Sequence, residues 1–301
     1  MKIQIWTAFA VIVFIFCGFS AIASTQEAAE ASWWNILLLG GDSRDTEGYE
    51  RTDANIILSV NIEDSRVKMT SIMRDTWVDF PDGYGSGKIN AANVFDGPQL
   101  MIDTVNECFD VKIEDYILIN MTDLVYIIDR IDGIDLEITE SERCYVNDYA
   151  KLYLKELKGV NSDREYEGDT SLEQSGLVHL NGLLAMSYCR DRYSDNDYGR
   201  VMRQQKVLLA MAEQMQNMEI NDLMAMADDV LATVETNLND EELERLAKMA
   251  LMIEVDEVQQ LRIPADGTFR SGMVGNTWRI DPDFEANAEI LNEFIYGKCQ
   301  Q

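Results

Sequence analysis

Short apolar segments that favour strands alternate with longer amphipathic segments along the first half of the chain. The clearest strand covers residues 34–40, an apolar run that ends at two glycines, Gly40 and Gly41. Similar runs predict strands at residues 55–61, 66–72, 116–119 and 134–138. Helical periodicity predicts helices at residues 90–109 and 122–131, with Thr122 as the candidate N-cap of the second. This alternation predicts an α/β fold in which helices cover both faces of a sheet.

The second half of the sequence is predicted to be mainly helical. Amphipathic segments predict helices at residues 145–157, 180–192, 198–218, 282–296 and, in two parts, 221–254. Residues 158–174 are predicted to form a loop, and residues 277–280 a late strand. Residues 213–257 are rich in Asp and Glu, which predicts a solvated helical face and leaves an acidic partner-binding surface as the alternative.

The N-terminus carries a long uncharged apolar run at residues 3–23. About 20 apolar residues cross a bilayer core, so residues 1–24 are predicted to be a single membrane anchor. Lys2 precedes the run and acidic residues follow it, which places residues 35–301 outside the cytoplasm. Ala21-Ile22-Ala23 matches a signal-cleavage pattern, so a cleaved segment and a secreted protein are the alternative. Residues 25–34 are predicted to be a tether, and residues 35–301 one extracytoplasmic domain.

Charge and rare residues exclude several classes of function. The chain has 25 Lys and Arg against 54 Asp and Glu, a net charge of −29, which excludes nucleic acid binding through a general basic surface. The one histidine, His179, excludes zinc sites that need two, and it is expected to be structural, at the start of a helix. An outside location permits disulfides, and Cys108, Cys144, Cys189 and Cys299 allow three pairings. Cys189 lies in an apolar stretch and is expected to be a small buried hydrophobic residue.

Arginines occur beside acidic residues at the ends of the apolar runs. The groups are Gly40-Gly41-Asp42-Ser43-Arg44, Glu50-Arg51-Thr52-Asp53, Met73-Arg74-Asp75, Arg190-Asp191-Arg192 and Asp197-Tyr198-Gly199-Arg200. Ligands of α/β sheets bind beyond strand carboxyl ends, and the planar guanidinium matches phosphate oxygens. Arg200 and Gln204 are four residues apart and share a helical face, whereas Arg203 points elsewhere and could pair with an acid. Taken singly, each group could equally be a surface ion pair, a turn or a cap.

Taken together, the blocks resemble those of a known family. GGDSR, ERTDA, SIMRDTWV, KINAAN, IDRIDGI, HLNGLLAMSYCRDR and DNDYGRVMRQQ occur in the order typical of the LytR-CpsA-Psr family of cell-envelope proteins, over about residues 35–215. The resemblance implies an α/β/α sandwich with a central mixed sheet. It implies a phosphotransferase that moves a polyprenyl-pyrophosphate-linked glycopolymer, such as teichoic acid or capsular polysaccharide, onto peptidoglycan through a phosphodiester bond.

The resemblance also assigns expected roles to individual residues. Asp42 and Asp53 match the acids that bind Mg²⁺, with Mn²⁺ as an alternative ion. The residues that match or accompany the family's pyrophosphate contacts are Arg44, Arg51, Arg74, Arg190, Arg192, Arg200 and Gln204. The expected catalytic residues are Arg74, Arg190, Arg192, Asp75 and Asp197, either carboxylate being a candidate general base. The sequence departs from the family at Met73, where proline is common, and at Val78, where some members carry a basic residue.

A prenyl tail would need an apolar tunnel, which we expect the helices at residues 90–109 and 122–131 to line. Three alternative functions stay open from the sequence: a pyrophosphatase that cleaves the lipid-linked substrate without transfer, a non-catalytic envelope scaffold that binds polyprenyl phosphate, and a glycosidase. The expected partners are the lipid-linked glycan, peptidoglycan and, through the anchor, the membrane.

Overall fold

The computed structural model describes residues 32–41, 48–160, 166, 168–191, 197–219, 222–223, 225–226, 230, 233–250 and 255–297. The strands are β1 Trp33–Gly41, β2 Thr52–Asn61, β3 Val67–Ile72, β4 Trp77–Phe80, β5 Gly85–Lys88, β6 Asp115–Asn120, β7 Ile134–Ile138, β8 Gly176–Leu180, β9 Val234–Thr236, β10 Gln259–Ile263, β11 Phe269–Val274 and β12 Thr277–Pro282. The α-helices are α1 Ala92–Phe109, α2 Met121–Arg130, α3 Glu140–Val160, α4 Gly182–Cys189, α5 Asp197–Gln216, α6 Asp240–Ala250 and α7 Phe284–Tyr296.

A mixed sheet forms the centre of the molecule, as expected. Its strands are hydrogen-bonded in the order β10-β3-β2-β1-β6-β9. β1 is parallel to β6 and antiparallel to β2, and β3 is parallel to β10 and antiparallel to β2. β1, β3, β6 and β10 therefore share one carboxyl edge, and β2 begins at that edge.

Helices cover both faces of this sheet because apolar side chains of the central strands alternate between the faces. Leu37 and Leu39 of β1 belong to the core that contains Val105 of α1 and Leu291 of α7. Ile36 belongs to the opposite core, with side chains from α2, α4 and α5. We call the first side the α1 face and the second the α5 face. The predicted α/β fold with a covered central sheet is thus confirmed.

Two predicted elements differ from the structure. Residues 180–192 were expected to be one helix, but β8 pairs with β7 and places His179 in a strand opposite Asp135. Asn181 then caps α4, because its side chain accepts a hydrogen bond from the Leu184 amide. The cap of α2 is Asn120 instead of Thr122, whose backbone amide donates to the Asn120 side chain at 2.7 Å.

The predicted anchor, the tether before residue 32 and Cys299 lie outside the described residues. Within the segments that the structure does describe, no helix is both long and apolar enough to cross a membrane. Cys108, Cys144 and Cys189 are free thiols, so none of these three pairs with another. Cys189 is buried, as its apolar surroundings in the sequence predicted.

Candidate functional site

The site lies at the carboxyl edge of the central sheet, where β3 ends beside the start of β2. The antiparallel register, with Ile56 opposite Ser71, brings Asp53 next to Arg74. Nη1 of Arg74 donates a short hydrogen bond to the Asp53 carboxylate, and both side chains are largely buried. This edge position is where α/β sheets bind ligands. Two residues that the sequence assigned to one site are thus in direct contact.

Asp75 connects this pair to a lysine. Nζ of Lys88 lies 2.6 Å from Asp75 Oδ1, and Nε of Arg74 lies 3.9 Å from Asp75 Oδ2. Lys88 reaches Asp75 because the β4–β5 hairpin pairs it with Trp77. The Asp75 carbonyl accepts a hydrogen bond from the Ile280 amide of β12 at 3.0 Å. Neighbouring strands therefore fix Asp75 at both its backbone and its side chain.

Helix α5 brings the next two candidates to the same place. Nε2 of Gln204 donates to the backbone carbonyl of Asp53 at 3.3 Å. Arg200, one turn earlier and 3% exposed, lines a small recess together with Met73, Arg74 and Asp75. Arg203 points away, as the helical spacing predicted, and pairs with Glu142 at 3.4 Å. Arg74, Arg200 and Lys88 therefore supply three positive charges around two carboxylates.

Arg190 is held by a different set of contacts. It lies at the end of α4, where its Nη1 donates to the Tyr149 hydroxyl at 3.3 Å and its guanidinium lies 5.1 Å from the centre of the Tyr153 ring. The hydroxyl of Tyr145 donates to the Arg190 carbonyl at 3.0 Å. These contacts are with α3, whereas Arg74, Asp75 and Arg200 share one recess.

Several predicted site residues are not placed. Asp42, Arg44 and Arg192 lie outside the described residues. The structure describes the backbone of Asp197 at the start of α5 but not its side chain. Arg51 is exposed immediately before β2. Among the residues described, no group of three or more His, Cys, Asp or Glu is arranged to hold a metal ion.

An apolar cavity of about 170 Å³ opens beside Gln204 on the α5 face. It lies between the sheet and helices α2, α4 and α5, and its apolar lining includes Ile56, Leu58, Met69, Ile117, Met121, Leu124, Met186, Leu208, Met211 and Ala212. Of the two helices that were expected to line an apolar tunnel, α2 lines this cavity and α1 does not. α1 packs on the opposite face with Leu37 and Leu39, so the sheet itself separates α1 from the cavity.

Cys189 and Gly40 both belong to the wall of this cavity. Burial raises the pKa of the Cys189 thiol to about 12, so this side chain is uncharged at neutral pH and unreactive. A Cβ on Gly40 would lie 3.0 Å from the Cβ of Ala54, so a larger residue at this position would crowd the neighbouring strand. The site thus joins a cationic recess at the sheet edge to an apolar cavity beneath the same edge.

A comparison with protein families matches the LytR_cpsA_psr family model over residues 20–293. The chain belongs to the LytR_cpsA_psr family. One relative is the polyisoprenyl-teichoic acid–peptidoglycan teichoic acid transferase TagU of Bacillus cereus, 30% identical over 238 residues, 77% of this chain and 69% of the relative. TagU of Halalkalibacterium halodurans is 31% identical over 241 residues, 78% of this chain and 70% of the relative.

Solved structures of the LytR_cpsA_psr family share this fold. TagT bound to LIIa-WTA superposes with a TM-score of 0.69 at 20% identity, over 93% of this chain and 94% of TagT. The family protein YwtF (TagT) with bound octaprenyl pyrophosphate lipid gives a TM-score of 0.65 at 19% identity, over 94% and 97% of the two chains. At this level of identity the likeness establishes the fold.

Lys88 is the site residue that the sequence reasoning missed. It lies in the KINAAN block, which the family resemblance used as a marker without giving the lysine a role. The β4–β5 hairpin that carries it was not predicted, because its strands are only four residues each and two of the four residues of β5 are glycines. The only available signal was a single basic residue inside a family block.

Proposed function

We propose that this protein transfers a polyprenyl-pyrophosphate-linked glycopolymer, of the teichoic acid or capsular polysaccharide type, onto peptidoglycan through a phosphodiester bond. The observation that carries the proposal is the cluster of Arg74, Lys88 and Arg200 at the sheet edge, next to an apolar cavity that Gln204 helps to line. A lipid pyrophosphate has the matching charge and polarity, with an anionic head and an apolar tail. The names of the TagU and TagT relatives describe a transferase of this class.

The reaction requires no redox change. An acceptor hydroxyl forms a new bond to the phosphorus that bears the glycopolymer, its proton passes to a base, and the pyrophosphate P–O bond breaks. Polyprenyl phosphate leaves with the bonding electron pair. Arg74, Lys88 and Arg200 stabilise the negative charge that develops on the phosphate oxygens and on the leaving group. Gln204 would orient the head group above the cavity.

We assign Asp75 to the positioning of Lys88. Its two carboxylate oxygens face Lys88 at 2.6 Å and Arg74 at 3.9 Å, so both oxygens are engaged by cations. A carboxylate in this setting holds the basic side chains around it in place. Asp197 is therefore the better candidate for the general base. Arg190 and Arg192, the remaining expected catalytic pair, would approach the head group from the end of α4.

We propose that Asp42 and Asp53 hold a Mg²⁺ ion, or Mn²⁺ in its place. The donor set fits, since Mg²⁺ takes few carboxylates and completes its coordination with phosphate oxygens and water. Such an ion would neutralise charge on the pyrophosphate. Asp53 accepts a hydrogen bond from Arg74, so an ion held by Asp53 would have to share this carboxylate with Arg74 or displace it.

We further propose that residues 1–24 anchor the protein in the cell membrane with its catalytic domain outside. Anchoring would keep the cavity near a lipid substrate that itself resides in the bilayer. Secretion after cleavage at residues 21–23 is the alternative, and N-terminal sequencing of the mature protein distinguishes the two.

The test uses the full chain in detergent with a synthetic polyprenyl-pyrophosphate-linked glycan and peptidoglycan oligomers, with and without Mg²⁺. Mass spectrometry should detect a metal-dependent phosphodiester-linked product, and an Arg200→Ala variant should form it much more slowly. Release of free glycan phosphate without acceptor would favour the pyrophosphatase. Lipid binding without turnover across several glycans would favour the scaffold.

A further inference from the structure

Three aromatic rings are exposed beside the site, on the side of the sheet opposite the apolar cavity. Tyr49, Tyr84 and Phe95 are 44%, 41% and 51% exposed, and we call this group the aromatic ledge. The rings of Tyr84 and Phe95 lie 6.1 Å apart at an interplanar angle of 33°. A group of neighbouring apolar side chains that are exposed together is a feature of binding surfaces.

The ledge is built into the fold and held in one orientation. The Tyr84 hydroxyl donates to Asp96 at 3.0 Å, and the Tyr49 hydroxyl donates to Glu235 at 3.0 Å. Tyr49 packs against Gly97, where φ is +68° and a Cβ would lie 2.4 Å from the ring. Only glycine adopts this positive φ freely and also leaves room for the Tyr49 ring. The kink of α1 at Gly97 is therefore part of the ledge.

A cleft of about 400 Å³ adjoins the ledge at the carboxyl ends of β1 and β6. Tyr49, Glu50, Asn93 and Glu235 are among the residues that line it. Asn93 is 1% exposed, and its Nδ2 donates to the Glu50 carbonyl at 2.7 Å. Its buried Oδ1 has no hydrogen-bond partner among the described residues, although buried polar atoms are nearly always satisfied. This oxygen is an acceptor that a ligand N–H could use.

The position of the ledge relative to the cavity decides which substrate it suits. The β4–β5 hairpin packs on the α1 face through Val78 and Phe80, and its strand β5 begins directly after Tyr84 and ends at Lys88. At about 3.3 Å per residue, Tyr84 lies about 13 Å from Lys88 along this strand. Attacking and leaving oxygens are roughly in line during phosphoryl transfer. A donor whose tail occupies the α5 face therefore leaves the α1 face open for the approach of the nucleophile.

The charge of the cleft indicates which of the two substrates, the acceptor glycan or the lipid-linked donor, it can bind. The charged residues among the described lining of the cleft are Glu50 and Glu235, and Asp96 and Asp82 lie beside Tyr84. An anionic polymer of teichoic acid type would be repelled here. An amino-sugar glycan offers apolar ring faces for aromatic rings, hydroxyls for carboxylates and acetamido N–H groups for an acceptor such as Asn93.

We propose that the aromatic ledge and its cleft bind the glycan strand of peptidoglycan and present its hydroxyl to the phosphorus. The inference rests on the proposed transferase function and adds to it the site and chemistry of the acceptor. The ledge belongs to the α1 face, the lipid to the α5 face, and the sheet edge between them carries the reacting phosphate.

The test compares the full-length protein with a Tyr84→Ala/Phe95→Ala variant in detergent. The KM for a soluble peptidoglycan oligomer should rise about tenfold, as expected for the loss of stacked aromatic contacts, while the KM for the lipid-linked donor stays unchanged. Phe95→Tyr, which keeps a ring, should retain the wild-type acceptor KM. Leu177→Ala removes an apolar side chain that is 69% exposed on β8, and it should change neither constant.

A direct binding measurement separates the ledge from the reaction. Saturation-transfer NMR with a β-1,4-linked GlcNAc–MurNAc tetrasaccharide should show binding to the wild type and its loss in the double variant. Binding without any transfer would uphold the ledge and contradict the transferase function. An unchanged acceptor KM, a raised donor KM, or binding of the wild-type ledge to phospholipid vesicles instead of the tetrasaccharide would overturn the inference.

Discussion

Arg74 illustrates how the chemistry of this protein depends on single residues. It closes β3, donates a hydrogen bond to Asp53 across the sheet and lies 3.9 Å from Asp75, so one guanidinium lies between both carboxylates of the site. Arg200 lies in the same recess and Lys88 binds the far side of Asp75. The fold thus fixes these cations around one position for an anionic group, and such preorganisation reduces the reorganisation that the reaction must drive.

At this scale we expect Arg74→Ala to lower kcat for transfer about 100-fold, by analogy with the loss of one preorganised donor in other enzymes. Steady-state rates with saturating donor and acceptor measure the effect. Arg66→Ala is the matched control, because Arg66 is 60% exposed and pairs with Asp64 in the β2–β3 turn. A variant that folded normally and kept full kcat would remove Arg74 from the mechanism.

The contact between Asp53 and Arg74 could be anticipated from the sequence. Residues 61–65 (NIEDS) join the strands predicted at residues 55–61 and 66–72 and are typical of a hairpin turn, and a hairpin brings the start of its first strand to the end of its second. The spacing of Arg200, Arg203 and Gln204 likewise predicted which side chains share a helical face. The placement of Arg190 could not be anticipated, because it depends on tyrosines of α3 some forty residues away. Sequence pattern predicts which side chains lie together on one helix or hairpin. Contacts between distant elements, such as that of Arg190 with α3, depend on tertiary packing.

Among the elements, α2 and α4 approach each other unusually closely. Gly182 begins α4 directly after the Asn181 cap, and a Cβ on it would lie 2.0 Å from the Val125 carbonyl oxygen of α2. The sequence block that contains it was recognised, but its apolar periodicity predicted a single helix through residues 180–192. The strand β8 was missed because a five-residue alternating run is also compatible with a helix start.

We expect Gly182→Ala to destabilise the protein by about 3 kcal/mol, because the backbone of α2 must move to accept the new methyl group. Urea denaturation followed by circular dichroism measures the change. Gly272→Ala on β11 is the control, since a Cβ there meets nothing within 4 Å and should change stability by less than about 0.5 kcal/mol. Equal stability of the two variants would show that α2 and α4 can separate at little cost.

A lysine joins β3 to the last helix and makes stability depend on pH. Nζ of Lys68 donates to the Ile295 carbonyl at 3.1 Å and lies 4.7 Å from the centre of the Trp33 ring. Burial, reinforced by nearby Arg66, lowers the pKa of Lys68 from 10.5 to about 8. Between these values the unfolded chain binds more protons than the folded one, so this residue makes stability rise as pH increases from about 8 to 10.5.

We therefore expect Lys68→Met to flatten that rise relative to the wild type, with the two stability profiles parallel below pH 8. Thermal unfolding across the range from pH 7 to about pH 10.5 gives both profiles, and the difference between them removes the contribution of other titrating groups. Lys112→Met, at a position 78% exposed, should leave the profile unchanged. A wild type and Lys68→Met pair with the same slope would mean that the lysine stays protonated in the folded state.

For the whole molecule, the central sheet separates two environments. The α5 face carries an apolar cavity rich in methionine, whose flexible side chains adapt to a long tail. The α1 face carries the exposed rings and carboxylates of the aromatic ledge. Charged residues concentrate where the two faces meet, at the carboxyl edge. In spite of a net charge of −29, the protein brings Arg74, Lys88 and Arg200 together at this edge, where an anion would react.

This division predicts that the cavity can be filled without damage to the rest of the site. Ala212 lies on α5, is 7% exposed and lines the cavity. Each buried CH₂ contributes about 0.8 kcal/mol, so a phenylalanine that excludes two carbons of a prenyl tail should raise the donor KM about tenfold. Donors with a short geranyl tail should be used equally by Ala212→Phe and the wild type. Met202→Phe, on the same helix at a position 46% exposed, should behave as wild type with both donors. If Ala212→Phe kept the wild-type KM for a long-tailed donor, the cavity would be only a packing defect and the tail would bind elsewhere.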